Sequence, residues 1–370
     1  MNYYIIAGET SGDLYGSYLI KSLKKYDLSA KFTCFGGEYI KRAGGEIVCD
    51  LDKLAFMGFW EVLKNSLTIY KNFSFVKASI KKANPDALIL IDYPAFNLKV
   101  ANYARKLNIP VFWFVPPKVW AWNYKRVYKI KKYVHSLFVI FPFELDLFLK
   151  HSIKSHYFGN PLIDTLSTHL EKPFVKPLGK PIITLFPGSR KQEIIRMLPP
   201  MLASSLNFPN YRFVIMCAPN INKSFYIPFI KGNNLIDLVY DKNILQSASA
   251  AIVTSGTASL ELAMLNVPQI VCYKLNYLSF LLARTFLNIK FISLVNILAK
   301  KQVVPELIQS DCNTNSISHN LNQILIREER QKMLSNYSDV KNILGSTGCF
   351  DKVADSIYND LLGIRIAAIK

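Results

Sequence analysis

No run of about 18 apolar residues occurs in the 370-residue chain, so no segment reads as a membrane-spanning helix. The most apolar stretch, Leu278 to Leu298, is interrupted by Arg284, Asn288 and Lys290. The opening MNYYIIAGETSGD lacks a basic n-region and a cleavage site and reads as a first strand. The expected location is cytoplasmic, at most peripheral on a membrane. No CxxC pair occurs. The six cysteines are scattered, as buried or free thiols of a reducing compartment are. No His/Asp/Glu cluster has metal-ligand spacing, so no metal site is expected. GxGxxG and GxSxG are both missing, and no Ser/His arrangement points to a covalent nucleophile. Acids are scarce: 26 against 45 lysines and arginines, a formal charge of +19. Such a balance suits phosphorylated small molecules, anionic membrane surfaces or nucleic acid. Zinc-finger spacing and RNA-binding aromatic signatures are absent, which disfavours nucleic acid.

What is present is a 51% hydrophobic chain, long enough for two cores. Strand-like apolar runs alternate with helix-compatible segments in both halves. The pattern predicts two parallel-sheet α/β domains facing each other across a cleft. The linker is expected near 160–180, where the chain is polar and punctuated by proline. The expected domains are 1–165 and 166–345, followed by closing helices at 346–370; Leu321 to Lys332 and Val353 to Leu362 read as closing helices.

Two stretches of the second half carry the chemistry. IITLFPGSRKQE (182–193) reads as a buried strand, a Pro-Gly-Ser break, Arg190 and a helix start. AIVTSGTASLE (251–261) repeats strand, Ser-Gly-Thr turn and helix. A turn feeding a helix N-terminus points free N–H groups outward, and a guanidinium beside it chelates oxygens. Two such turns suit a nucleotide diphosphate. Arg190 is the expected diphosphate ligand. Gly188, Ser189, Ser255, Gly256 and Thr257 are the expected amide donors. Glu261, one turn along its helix, is placed to accept ribose hydroxyls.

In the first half, Asp92 follows the buried run Ala87 to Ile91, at the strand end where open α/β sheets bind ligands. It is a candidate general base, and Glu9 in the first turn competes with it. Residues 54–75, with Phe59 and Trp60, are rich in large apolar side chains. Trp120 and Trp122 precede a basic helix in which Lys125, Arg126, Lys129 and Lys132 oppose Val127, Ile130 and Val134. Together these stretches suit acyl chains and anionic lipid.

The chain resembles the lipid-A-disaccharide synthases, glycosyltransferases of the GT-B fold. The blocks that carry the likeness run in family order: AGETSGDLYG (7–16), MGFWEVL (57–63), IDYPAFNLKVA (91–101), VWAWNYKRVYKI (119–130), FGNPLID (158–164), LFPGSRKQEI (185–194), TSGTASLELAMLNVPQIVCYK (254–274) and NILAKKQVVPELIQ (296–309). The resemblance implies transfer of 2,3-diacylglucosamine from UDP to 2,3-diacylglucosamine 1-phosphate, with inversion and no metal or other cofactor in the catalytic step. It implies work at the inner face of the inner membrane and homodimers that exchange C-terminal segments. It places UDP on the second domain and acyl chains and acceptor on the first. By position, Asn296 and Glu306 match a third donor block, and Glu9, Ser11, Asp92 and Asn97 match cleft residues of the first domain.

Three positions depart from the family. Ala95 stands where many members carry a second acid, which adds weight to Asp92. Pro116-Pro117-Lys118 replaces the usual Ser before VWAW, and Asn160 replaces the usual His. Two alternatives remain at this level: another GT-B UDP-sugar enzyme, such as an epimerase, or a non-enzymatic basic module binding lipid or RNA.

Overall fold

A computed structural model describes residues 1–50, 66–170, 179–230, 236–275 and 290–369. Phe59, Trp60 and most of the apolar 54–75 stretch lie outside the described residues. Among the described residues the strands form two wholly parallel sheets. The first holds β1 (Asn2–Ala7), β2 (Lys31–Gly36), β3 (Glu46–Asp50), β4 (Ala87–Ile91), β5 (Val111–Phe114), β6 (Ser136–Val139) and β7 (Ser155–Tyr157), in the order β3-β2-β1-β4-β5-β6-β7. The second holds β8 (Ile182–Phe186), β9 (Arg212–Met216), β10 (Ile236–Val239), β11 (Ala248–Thr254), β12 (Gln269–Tyr273) and β13 (Glu306–Ile308), in the order β10-β9-β8-β11-β12-β13.

Strands such as ALILI of β4 are apolar at every position because helices cover both faces of a parallel sheet. All five of its side chains are fully buried. Each stabilises the core by roughly 1.5–3 kcal/mol for the larger aliphatics. The architecture is two Rossmann-like α/β domains, as expected.

The chain divides into two compact units, Met1–Asp164 with Ser346–Lys370, and Thr165–Gly345. The polar 160–170 stretch is a helix, Pro161–Leu170, and the unit boundary falls inside it, so that part of the expected linker is not a loop. Pro161 opens this helix, where the missing N–H costs nothing. The expected helix from Leu321 to Lys332 is two helices, Thr314–Leu325 and Arg327–Leu344, which meet at extended Ile326. β3 and β13 were not anticipated. Both are short edge strands with little apolar alternation.

The C-terminal helix Cys349–Ile369 belongs to the first unit and packs on helix Thr10–Tyr26 of the same chain. Phe350 stacks on Tyr18 with ring centres 5.0 Å apart. Asp351 accepts from Ser22 at 2.6 Å and Lys25 at 2.8 Å, and Asp360 accepts from Lys154 at 2.6 Å.

Each sheet reverses its strand order once. In the first unit the reversal lies between β1 and β4, paired at Ala7 and Ile91. In the second it lies between β8 and β11, paired at Phe186 and Val253. Loops leaving the carboxyl ends of such strand pairs diverge and leave a crevice for ligand.

Candidate active site

In the second unit the two anion-friendly turns leave neighbouring strands, β8 and β11, at the reversal point. They stand side by side at one sheet edge. Ser189, Arg190, Gly256 and Thr257 are all exposed there. Helix Lys191–Ser205 starts directly after Arg190, and helix Thr257–Met264 directly after Gly256. Gly188 has φ +116°, a backbone that favours glycine, while Gly256 at φ +159° is close to extended.

The amides differ from expectation. Ser189 and Arg190 donate their N–H groups to the Glu193 carboxylate at 3.0 and 3.3 Å. The Ser255 N–H donates to the Cys272 carbonyl at 3.1 Å and extends the β11–β12 ladder. Its hydroxyl donates to the Ile292 carbonyl at 2.8 Å. Two of the amides expected to face a phosphate, those of Ser189 and Ser255, are therefore committed inside the protein, and so is the Arg190 amide. Gly256 gives helix Thr257–Met264 no capping side chain, so the first N–H groups of that helix keep the orphan character that attracts anions. The Arg190 side chain is 56% exposed, with Nη1 3.6 Å from Glu193, too long for a tight fork.

Glu261 is buried, and Lys242 donates to both of its oxygens, at 2.8 and 2.7 Å. Lys242 was not anticipated; no motif marks it, and it comes from the start of a separate helical turn. Each Glu261 oxygen retains a second lone pair for a ligand hydroxyl. Tyr273, at the end of β12, also belongs to this edge. Burial is the main reason its hydroxyl pKa rises; Glu193 pushes it up further and Arg190 pulls it back.

Buried Asn296 and half-buried Glu306 form a hydrogen-bonded knot. Asn296 Nδ2 donates to the Val304 carbonyl at 2.9 Å and to Glu306 at 2.8 Å, while Oδ1 accepts from the amides of Val303 and Val304. Glu306 also accepts from Ile292 and Ser293, at 3.0 and 2.9 Å. Asn296 is fully buried and its amide is saturated, so it shapes the loop whose Ile292 holds Ser255.

The first unit carries an acidic counterpart at its own reversal point. Asp92 and Tyr93 follow β4 with φ +51° and +50°, two successive left-handed residues without glycine. Such a conformation costs of order 1 kcal/mol or more per residue and recurs at functional sites. The fully buried Asn97 holds it, donating from Nδ2 to the Asp92 carbonyl at 2.7 Å. Asn97 thus shapes the strand end instead of presenting its amide to solvent. A Cβ on Gly8 would lie 2.2 Å from Cγ of Tyr93, so glycine lets the two turns touch.

Helix Thr10–Tyr26 begins within GETSGD and places Glu9 at its N-cap and exposed Ser11 in its first turn. The carboxylate of Asp13 binds the amides of Gly37, Tyr39 and Ile40, a structural role. Burial raises the Asp92 carboxyl pKa, opposed by Lys118 and by the Tyr93 N–H. Glu144, which begins helix Pro142–Lys150, is pushed up to about 7 by burial, although the Trp120 indole donates to it at 2.9 Å. Trp120 is thereby tied inward, edge-on to Phe143, while Trp122 is half exposed. Asn160 is buried, donates to the Ile140 carbonyl at 2.9 Å and accepts from Leu162. Among the described residues no three His, Cys, Asp or Glu side chains gather as a metal site, and no helix is long and apolar enough to cross a membrane.

The family described as Lipid-A-disaccharide synthetase matches residues 3–348. The chain belongs to that family. A lipid-A-disaccharide synthase of Coxiella burnetii is 34% identical over 365 residues, covering 96% of this chain and 97% of the relative. Among solved structures, UDP-GlcNAc 2-epimerase from Neisseria meningitidis, bound to UDP-GlcNAc, superposes with a TM-score of 0.67 at 15% identity, covering 98% of this chain and 100% of that one. The calicheamicin glycosyltransferase gives 0.63 at 13% identity, with 98% of each chain covered. Likeness at that identity shows the shared GT-B fold. As a member of the lipid-A-disaccharide synthetase family, the chain is a glycosyltransferase.

Proposed function

We propose that this enzyme transfers 2,3-diacylglucosamine from UDP to the 6-hydroxyl of 2,3-diacylglucosamine 1-phosphate, giving the β-1,6-linked disaccharide 1-phosphate and UDP. The observation that carries the donor half is the pairing of β8 with β11, which sets Arg190 beside the Ser255–Thr257 turn. The donor diphosphate lies against that edge. The Arg190 guanidinium and the open N-terminus of helix Thr257–Met264 take the charge that develops as UDP leaves, a role filled by preorganised donors. Glu261, oriented by Lys242, accepts from the ribose hydroxyls.

The acceptor hydroxyl attacks the anomeric carbon, the bond from that carbon to the phosphate oxygen breaks, and the electron pair departs with UDP. One displacement inverts the anomeric centre. Asp92 takes the hydroxyl proton. Its raised proton affinity suits a base that must be ionised to act yet strong enough to accept. Glu9, at the neighbouring strand end, is the second candidate for that proton. No step in this displacement runs through a metal ion. Ser11 is assigned to the acceptor.

Both diacylated substrates come from a membrane. From Lys118 to Tyr133 the chain has six basic residues and no acid. Trp122, Tyr124 and Tyr128 are 50%, 48% and 63% exposed among them. Aromatic rings with lysine stems suit an anionic bilayer surface, so we assign this face to peripheral contact with the inner leaflet. Phe59 and Trp60 are assigned to acyl chains from sequence alone.

Mass spectrometry of products from the two diacylated glucosamine substrates tests the reading. A tetraacyl disaccharide 1-phosphate is expected. An epimerised UDP-sugar without disaccharide would favour an epimerase instead, and no product with intact UDP-independent lipid binding would favour a binding module.

A further inference from the structure

The first turn of the second unit is not an empty seat. The Glu193 carboxylate already binds both amides that a phosphate would seek there, at 3.0 and 3.3 Å. The turn is also built around this side chain. A Cβ on Gly188 would lie 2.7 Å from the Glu193 Cβ and 2.6 Å from its Oε2, and Gly188 has φ +116°. Only glycine combines that backbone with that contact. The Arg190 guanidinium is 56% exposed, with Nη1 3.6 Å from Glu193. A guanidinium carries five N–H donors, more than one carboxylate can take.

We propose that Glu193 is a positioning residue. It keeps the amides of Ser189 and Arg190 whether or not donor is bound, and the turn meets the diphosphate through the Arg190 guanidinium. The inference rests on the donor reading of this turn given above. Swinging Glu193 out would leave two amides to a ligand but would remove the brace that fixes the root of Arg190. It would also bring a free carboxylate and the pyrophosphate to the same turn without the guanidinium between them. With Glu193 in place, Arg190 bridges the two anions.

Calorimetric titration with UDP tests this on the unmodified enzyme, Glu193→Ala, Glu193→Gln, Arg190→Ala and the Glu193→Ala/Arg190→Ala pair. Glu193→Ala is expected to weaken UDP binding about tenfold, the scale of one lost charge-assisted contact. Glu193→Gln keeps an acceptor for the two amides and is expected to stay within about threefold of the unmodified enzyme. Because Glu193 acts through Arg190, Glu193→Ala should change affinity little in the Arg190→Ala background, a coupling that mere loss of fold would not produce. Tighter or unchanged UDP binding by Glu193→Ala would overturn the proposal and mark the carboxylate as a displaceable stand-in for phosphate. A glutamine variant as weak as alanine, or an equal cost with and without Arg190, would also overturn it. If the unmodified enzyme fails to bind UDP, the donor reading falls and this inference falls with it.

Discussion

The two sheets reverse strand order in the same way, yet different side chains follow their reversal points: acids in the first, an arginine beside a glutamate in the second. In the first unit Asp92 and Glu9 follow the paired strands β4 and β1. In the second, Arg190 and an uncapped helix N-terminus follow β8 and β11. In the proposed reaction one topology serves two chemistries. A displacement needs a group that takes a proton from the nucleophile and a group that holds charge on the leaving atom, and the same strand-end geometry accommodates either. The local backbone differs accordingly. The acidic end is strained at two non-glycine residues and braced from below by Asn97. The basic end uses glycine at both turns and leaves its cation exposed.

The sharpest way to break this division of labour is Asp92→Asn. Loss of a general base costs roughly 10²–10⁴-fold, so turnover should fall by at least 10²-fold with UDP binding unchanged. Full activity in the folded variant would remove Asp92 as the base and leave Glu9. Stability should move the other way. Burial raises the Asp92 pKa, so the folded state prefers the protonated carboxyl, and ionisation destabilises it as pH rises from the unfolded value toward the folded one. Asp92→Asn should melt higher than the unmodified enzyme at pH 7, and the gap should close below about pH 4, where both forms are uncharged.

Arg190→Ala tests the opposite pole. Removing a donor to developing negative charge costs about 10²–10³-fold, and turnover should fall on that scale. Turnover equal to the unmodified enzyme, measured as UDP release, would take Arg190 out of the mechanism. Lys242→Met should have the smallest effect. It leaves the buried Glu261 without its cation, at a cost of about 1–2 kcal/mol, less than for a fully buried pair because the lysine is 45% exposed. A lower melting temperature and severalfold weaker UDP binding are expected. An unchanged UDP affinity would show that Glu261 does not need Lys242 to meet the ribose.

Most of the strands were legible because buried parallel strands are unbroken apolar runs, and ALILI or IITLF admits few other readings. Edge strands β3 and β13 were not, since an edge needs less burial. The helix boundary at Ile326 was hidden because propensity alone does not show where one helix stops and the next begins. Within the candidate site, residue types pointed to Arg190 and Asp92 just past strand ends and to Glu261 on the helix that follows β11. Partners far away in sequence, such as Lys242 for Glu261 or Trp120 for Glu144, carry no local signal.

The order of residues along this chain determined where apolar strands end and which side chains follow them, because those are local properties of a polymer with fixed periodicity. It also determined the family, through eight short blocks in sequence. Which amides stay open was decided only when the chain folded. In the sequence the backbone amides of Ser189, Arg190 and Ser255 look no different from those of Gly256 and Thr257, but a carboxylate three or four residues on and a carbonyl on the adjacent strand claim their hydrogens. Hydrogen bonds depend on distances of a few ångströms between groups, and tertiary packing alone sets those.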